Sequence, residues 1–150
     1  MTKEQLKTIL DNIYEQCQKA NDLNEVPVAA ALVMENQVIY SHNHVEEKHD
    51  PFSHAEIEVI KEGLKRQSGK YLQGSTLVVS LEPCLLCMGA ILKTRISNLY
   101  YVIDDEKAGS LSYYHVFVDD VLKVHRIKDD RFDDILSSFF LKIRNGNSGI

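Results

Sequence analysis

The spacing of hydrophobic residues along the chain predicts an alternation of helices and strands. Over residues 3–20, apolar side chains recur every three or four positions, which is the period of a helix with one buried face. The continuous apolar run at residues 28–34 is typical of a strand that is buried on both faces. The full pattern predicts helices at residues 3–20, 54–67, 84–94 and 131–144, and strands at residues 28–34, 37–41, 75–80, 96–103 and 121–127.

The order of these elements predicts one α/β domain over residues 1–150. Glu35 and Asn36 are expected to turn the first two strands into a hairpin. The strand, helix and strand of residues 75–103 predict a right-handed parallel crossover. We therefore expect a three-layer α/β/α fold, in which helices cover both faces of a mixed sheet of about five strands.

The composition limits the class of protein but does not identify a reaction. The chain has 150 residues, of which 44% are hydrophobic and 26% charged, as in ordinary globular proteins. Its apolar runs are all shorter than the roughly 20 residues that span a bilayer, and its N-terminus lacks the apolar core of a signal peptide. These features predict a cytoplasmic protein that makes no use of a membrane. The net charge of −5 indicates that any contact with nucleic acid is local.

Two short stretches carry the candidate chemistry, His54-Ala55-Glu56 and Pro83-Cys84-Leu85-Leu86-Cys87. Cys84 and Cys87 are three residues apart, so at the start of a helix both sulfur atoms point to one side. The positive end of the helix dipole lowers the pKa of thiols placed there, which prepares them for a metal ion. With His54 as a third ligand, a tetrahedral ion keeps one open position, as in catalytic zinc sites. Two thiolates and an imidazole favour zinc over iron.

Glu56 lies two residues beyond the candidate ligand His54 and is expected to act as a proton carrier rather than as a ligand. Bound zinc would lower the pKa of a water molecule toward about 7, and Glu56 would take its proton and pass it to a leaving amine. Each residue also has a structural interpretation. Ser53 and Glu56 could form a capping box, and the two cysteines could be small buried side chains.

The remaining candidate ligands have simpler interpretations. Cys17 lies on the buried stripe of the first helix, where we expect it to be part of the core. His42, His44 and His49 lie in a polar stretch of the chain, where histidine is common without a metal ion, and we expect none of them to be a ligand.

The pattern His-x-Glu followed by Pro-Cys-x-x-Cys is the signature of zinc deaminases that act on cytosine or adenine. Along most of its length the chain resembles bacterial tRNA-specific adenosine deaminases of the cytidine/deoxycytidylate deaminase superfamily. The loop Asp105-Glu106-Lys107-Ala108-Gly109 and the pair Phe139-Phe140 are more typical of that family than of free-base cytosine deaminases. The matching stretches are residues 25–28, 42–43, 50–57, 81–87, 89–92, 95–96, 105–109 and 139–140.

The resemblance implies a cytidine-deaminase-like fold, one zinc ion per subunit and conversion of adenosine to inosine at the wobble position of a tRNA anticodon loop. It also implies a homodimer, which suits the helix of residues 84–94 because that helix is apolar nearly all round. By the same resemblance, Asn43 would bind the base or its sugar and Asp105 would lie near the neighbouring nucleotide. Val26 and Ala55 would line the pocket.

Two other functions remain open at this point. The first is a zinc-dependent deaminase of a free base or nucleoside, of the guanine or cytosine type, which the negative net charge would suit. The second is a non-catalytic zinc-binding partner subunit. A structural zinc site, however, has no use for an unliganded carboxylate such as Glu56 beside an open metal position. The chain departs from the family at Val124, where an asparagine is expected, and it is several residues short after His125.

Overall fold

The fold is built on a five-stranded mixed sheet, seen in a computed structural model that describes residues 1–147. The elements are α1 (Lys3–Asp22), β1 (Ala29–Val33), β2 (Val38–His42), α2 (Val45–Lys48), α3 (Ala55–Gln67), β3 (Thr76–Leu81), α4 (Leu85–Lys93), β4 (Asn98–Ile103), β5 (Lys123–Arg126) and α5 (Asp130–Lys142). One turn of π-helix, Ile143–Asn147, follows α5.

The strands lie in the order β2-β1-β3-β4-β5. β1 pairs antiparallel with both β2 and β3, whereas β3, β4 and β5 run parallel to one another. The hairpin and the parallel crossover expected from the sequence are therefore both present. The mixed sheet of five strands confirms the predicted fold class.

Helices cover both faces of the sheet. Alternate residues of the central strands point to opposite sides, and the apolar side chains on each side pack against helices. On one face, Ala30 and Leu32 of β1 pack with the buried side chains of α3 and α4. On the other face, Ala29 and Ala31 pack with α1 and with Phe132 of α5. Because β1 is buried on both faces, its sequence is a continuous apolar run rather than an alternating one.

The first helix begins as the sequence predicts. The Thr2 side chain accepts a hydrogen bond from the backbone N–H of Gln5, and the Gln5 side chain accepts one from the backbone N–H of Thr2. This reciprocal capping box satisfies two of the N–H groups that a helix start leaves without partners.

The helix α4 buries only one of its faces, although its sequence is apolar nearly all round. Cys87, Met88 and Ile91 are buried, whereas Leu85 and Leu86 are 46% and 42% exposed. An exposed apolar face beside the candidate ligands is suited to contact with another protein surface.

The structure corrects the sequence prediction by one additional helix and at several element boundaries. The stretch 45–48, expected to be a polar loop, forms the short helix α2, because the buried carboxylate of Glu25 accepts the backbone N–H groups of Glu46 and Glu47. The last α-helix ends at Lys142 instead of residue 144, and several strands are one or two residues shorter or shifted. Among residues 1–147, no helix is both long and apolar enough to cross a membrane.

Candidate active site

Two helix N-termini bring the candidate metal ligands together. His54 is the N-cap of α3 and Cys84 is the N-cap of α4, while Cys87 lies in the first turn of α4. Because β3 ends at Leu81, the chain enters α4 directly from the carboxyl end of that strand. The site thus lies at the strand ends, where open α/β sheets bind their ligands.

The three ligand atoms lie within reach of a single ion. Nδ1 of His54 is 3.6 Å from Sγ of Cys84 and 3.4 Å from Sγ of Cys87. The ligand atoms all lie within 4.8 Å of one another, and these three residues form the one such His, Cys, Asp or Glu group among residues 1–147. The group could therefore hold a metal ion.

The two thiols differ in their affinity for protons. A hydrogen bond from the Cys87 thiol, together with one from His54, lowers the pKa of Cys84 to about 4. The same hydrogen bond to Cys84, together with burial, raises the pKa of Cys87 above its usual range. The hydrogen bond to Cys84 also raises the pKa of His54. Thiol ligands give up their protons when they bind a metal ion, so metal binding at this cluster would release protons.

Glu56 is a buried carboxyl group beside this cluster. It lies in the first turn of α3 and is only 4% exposed. Burial raises the pKa of Glu56 from 4.5 to about 7, because a charged carboxylate is poorly solvated there. A carboxyl group whose pKa is near neutral can both take up and release a proton at physiological pH.

The capping interpretation of Glu56 is not supported by the contacts of Ser53. The Ser53 hydroxyl donates to Oε1 of Glu58 over 2.5 Å, and the N-cap of α3 is His54 rather than Ser53. The capping box that the sequence allowed is therefore not formed. The Glu56 carboxyl group instead faces a cavity.

This cavity has a volume of about 360 Å³ and opens beside His54, Glu56 and Cys84. Val26, Val28, Pro51 and Leu81 supply apolar wall, and Asn43 and Asp105 supply polar groups. The volume falls within the range of about 300–1,000 Å³ that is usual for small-molecule sites, and the mixture of lining groups is typical of them.

Asn43 is oriented by the start of α3. Its Oδ1 accepts the backbone N–H of Ala55 over 2.8 Å, and its own backbone N–H donates to the carbonyl of Val28. Because Oδ1 already accepts this hydrogen bond, the Nδ2 amide group of Asn43 is the part of the side chain that can donate to a ligand in the cavity. Ala55 itself is fully buried and is not among the residues that line the cavity.

Asp105 also lines the cavity, at the start of a tight turn. Its Oδ1 accepts the backbone N–H groups of Lys107 and Ala108 over 3.2 and 3.1 Å. Asp105, Ala108 and Val26 all line the cavity. Of the eight site residues expected from the sequence, seven thus lie at the cluster or on the cavity wall, and Ala55 is buried and lines neither.

Two further carboxylates at the cavity were not singled out from the sequence. Glu25 and Glu82 are only 1% and 2% exposed, and both line the cavity. Both oxygens of each carboxylate accept backbone N–H groups from segments more than twenty residues away. For Glu82, burial raises the pKa, but hydrogen bonds from the Ser112 side chain and from three backbone N–H groups outweigh it and lower the pKa. In the sequence, Glu25 and Glu82 belong to the matching stretches 25–28 and 81–87, and Glu82 also lies between β3 and Cys84.

The other histidines and the third cysteine lie outside the ligand group. Nδ1 of His44 contacts Glu47 at 2.6 Å, and the ring of His44 stacks on that of His42. Cys17 is fully buried, its thiol contacts the Ser80 hydroxyl, and burial raises its pKa to about 12. That none of these residues is a ligand stays a prediction.

Comparisons with known proteins identify the family. A family model described as MafB19-like deaminase matches residues 4–144. The tRNA-specific adenosine deaminase of Aquifex aeolicus is 38% identical over 136 residues, which cover 87% of this chain and 90% of that protein. The chain belongs to the family of tRNA-specific adenosine deaminases. The family member from Bacillus subtilis is 30% identical, with 96% of this chain and 92% of that protein covered.

Solved structures agree with this family membership. A structure from a study of A-to-I editing by tRNA:A34 deaminases at the wobble position of transfer RNA superimposes with a TM-score of 0.80 and 31% identity, covering 87% of this chain and 99% of that chain. This match confirms the predicted cytidine-deaminase-like fold. A guanine deaminase from Nitrosomonas europaea has a TM-score of 0.74 at 17% identity, with 87% and 82% covered, and this likeness concerns the fold alone.

Proposed function

We propose that this single-domain protein hydrolyses adenosine to inosine at the wobble position of a tRNA, with release of ammonia. The observation that carries the proposal is the convergence of His54, Cys84 and Cys87 beside the buried carboxyl group of Glu56. Family membership supports adenosine in tRNA as the substrate, since the relatives are tRNA-specific adenosine deaminases.

The proposed cofactor is one zinc ion per subunit, held by His54, Cys84 and Cys87. With a Zn–S distance of about 2.3 Å and a Zn–N distance of about 2.05 Å, tetrahedral geometry places nitrogen and sulfur ligands about 3.6 Å apart. The separations of 3.4 and 3.6 Å in the structure fit this requirement. Zinc bound there would supply a water molecule of lowered pKa as the nucleophile at neutral pH.

Glu56 would move the protons of the reaction. Its carboxyl group is shielded from solvent, and its raised pKa allows it to hold a proton in one step and to give it up in the next. We assign to it the transfer of a proton from the attacking water to the leaving amino group. Glu25 and Glu82 are not suited to this task, because both oxygens of each already accept backbone hydrogen bonds.

Asn43, Val26, Ala55 and Asp105 are the proposed substrate-binding residues. Asn43 offers an oriented amide donor to the base or its sugar, and Val26 offers an apolar surface to the ring. Ala55 would act through the wall by holding Oδ1 of Asn43 with its N–H group. Asp105, which also lines the cavity, would face the neighbouring nucleotide.

An anticodon loop suits a cavity of this kind. A base must leave its stack before it can enter the site, and the unpaired bases of a loop do so at low cost. We also propose that the protein is cytoplasmic and works as a homodimer. The exposed Leu85 and Leu86 of α4 would then be buried against the second subunit.

The dependence of binding on salt tests whether RNA is the substrate. Contacts with phosphate groups release counterions, so the affinity for an anticodon stem-loop should fall by ten-fold or more between about 50 and 200 mM salt. Free adenosine is the matched control, because it carries no phosphate group and its affinity should change little. An RNA affinity that is independent of salt would contradict the proposal.

A further inference from the structure

The segment of residues 105–112 forms one wall of the cavity and lies against the ligand turn. Asp105 and Ala108 line the cavity, and Gly109 makes an isolated β-bridge with Cys84. The N–H and the hydroxyl of Ser110 both donate to the carbonyl of Pro83. The position of this wall is therefore linked to the chain that carries the cysteines.

A buried carboxylate lies at the centre of this segment. Oε1 of Glu82 accepts the backbone N–H of Asp105 over 3.0 Å and the hydroxyl of Ser112. Oε2 accepts the backbone N–H groups of Leu111 and Ser112, both over 2.8 Å. Four donors from both ends of one segment thus meet on a side chain that is only 2% exposed.

The packing around this carboxylate leaves no spare room. A Cβ atom added to Gly109 would overlap Oε2 of Glu82 and would lie 2.5 Å from the backbone carbonyl of Asp105. The segment therefore wraps closely around the carboxylate, and only a residue without a side chain fits at position 109. The shape of the wall and the position of Glu82 depend on each other.

We propose that Glu82 is a positioning residue, which holds the segment 105–112 and with it Asp105 in the orientation that substrate binding requires. Charge-assisted hydrogen bonds are stronger than neutral ones, and buried N–H groups without an acceptor are costly, so the carboxylate is well suited to fix a loop. The part played by Asp105 rests on the proposed function. The anchoring of the segment by Glu82 does not.

The variant Glu82→Gln tests this role with the smallest change of shape. A glutamine amide has one oxygen and one NH₂ group, which donates and cannot accept. If the NH₂ group replaces Oε2, the N–H groups of Leu111 and Ser112 lose their acceptor, and if it replaces Oε1, the N–H of Asp105 does. Either orientation releases part of the segment.

We expect amide hydrogen exchange in zinc-loaded Glu82→Gln to accelerate at Asp105, Leu111 and Ser112. With a stem-loop RNA that carries the wobble adenosine, KM should rise about ten-fold while kcat changes less than about three-fold, because binding is lost and the proton carrier is untouched. The zinc content should stay at the wild-type value. If Glu82→Gln does not fold, Ser112→Ala, which removes one donor, should show the same changes at smaller size.

Glu25→Gln is the matched control, since Glu25 is an equally buried carboxylate that accepts N–H groups of Glu46 and Glu47 instead. It should accelerate exchange at those two amides and leave Asp105, Leu111 and Ser112 protected. Unchanged exchange at residues 105, 111 and 112 in Glu82→Gln would overturn the proposal, as would a loss of kcat with KM unchanged. A wild-type protein that is inactive on RNA would refute the proposed function alone, since the exchange experiment would still test the anchoring.

Discussion

Replacing Glu56 with glutamine should abolish turnover while leaving the fold and the metal site intact. Glutamine has nearly the same shape as glutamate, and the raised pKa of Glu56 indicates that a neutral group is tolerated at this buried position. The amide can no longer take a proton from water or give one to the leaving amine. The variant therefore tests the proton-transfer role of Glu56 while the fold stays unchanged.

The size of the effect follows from the surroundings of Glu56. A positioned acid or base contributes roughly 10²–10⁴ in rate for one transfer, and Glu56 would serve two transfers. Solvent cannot easily replace it, because it is 4% exposed, and the carboxylates of Glu25 and Glu82 are engaged by backbone N–H groups. We expect kcat to fall about 10⁴-fold, which corresponds to about 5 kcal/mol of activation free energy.

The assay is single-turnover formation of inosine in a stem-loop RNA, with zinc content and thermal unfolding measured on the same samples. Glu58→Gln is the matched control, since Glu58 lies on the same helix but its carboxylate contacts Ser53 and Lys48. It should keep its rate within about three-fold and lose less than about 1 kcal/mol of stability. A Glu56→Gln variant that binds zinc and retains a tenth of the wild-type rate would refute the assignment of Glu56.

Three further predictions concern the metal site and the scaffold. Cys87→Ser should lose both metal and activity, which metal analysis after dialysis would detect; zinc retained at one ion per subunit would contradict the ligand assignment. Gly63→Ala should lower the free energy of unfolding, measured in urea, by about 1 kcal/mol. The added methyl group would overlap the buried Leu32 at a cost of about 1–3 kcal/mol, which exceeds the roughly 1 kcal/mol gained in helix propensity. A more stable variant would contradict this. Asp129 is paired with Arg131, and this hydrogen bond lowers the pKa of Asp129 below 3.8 in the folded state. The contribution of the pair to folding stability is therefore present above about pH 4 and is lost as the pH falls through the folded-state pKa. Asp129→Asn keeps an N-cap acceptor and should cost about 0.5–1 kcal/mol at pH 7 and less as the pH is lowered toward about 2. An equal cost at both pH values would refute the charge argument.

Those parts of the fold that depend on local pattern could be predicted from the sequence. The start of α1 was predictable because Thr2 and Gln5 cap each other within one turn. The sheet core was predictable because β1 is apolar throughout. The helix α2 was not, because the carboxylate that stabilises it, Glu25, lies about twenty residues earlier in the chain.

The same distinction applies to the site. His54, Glu56, Cys84 and Cys87 stood out because their chemistry requires particular residue types at short spacing. In the structure the first three line one cavity, and Cys87 lies beside His54 and Cys84 in the ligand group. Glu82 did not stand out as an anchor, since its partners at residues 105–112 are brought to it by the crossover from β3 to β4. A glutamate that fixes a distant loop has the same appearance in a sequence as one that faces solvent.

Deamination of the wobble adenosine can be measured by incubating the zinc-loaded protein with a tRNA that carries adenosine at that position and reading inosine by sequencing. Parallel samples contain free guanine, cytosine and adenosine, with ammonia release measured. We predict inosine at the wobble position and little ammonia from the free compounds. Ammonia from a free base alone would retain the deaminase chemistry but contradict the tRNA assignment, and inactivity in every sample with zinc bound would support a non-catalytic zinc-binding subunit instead.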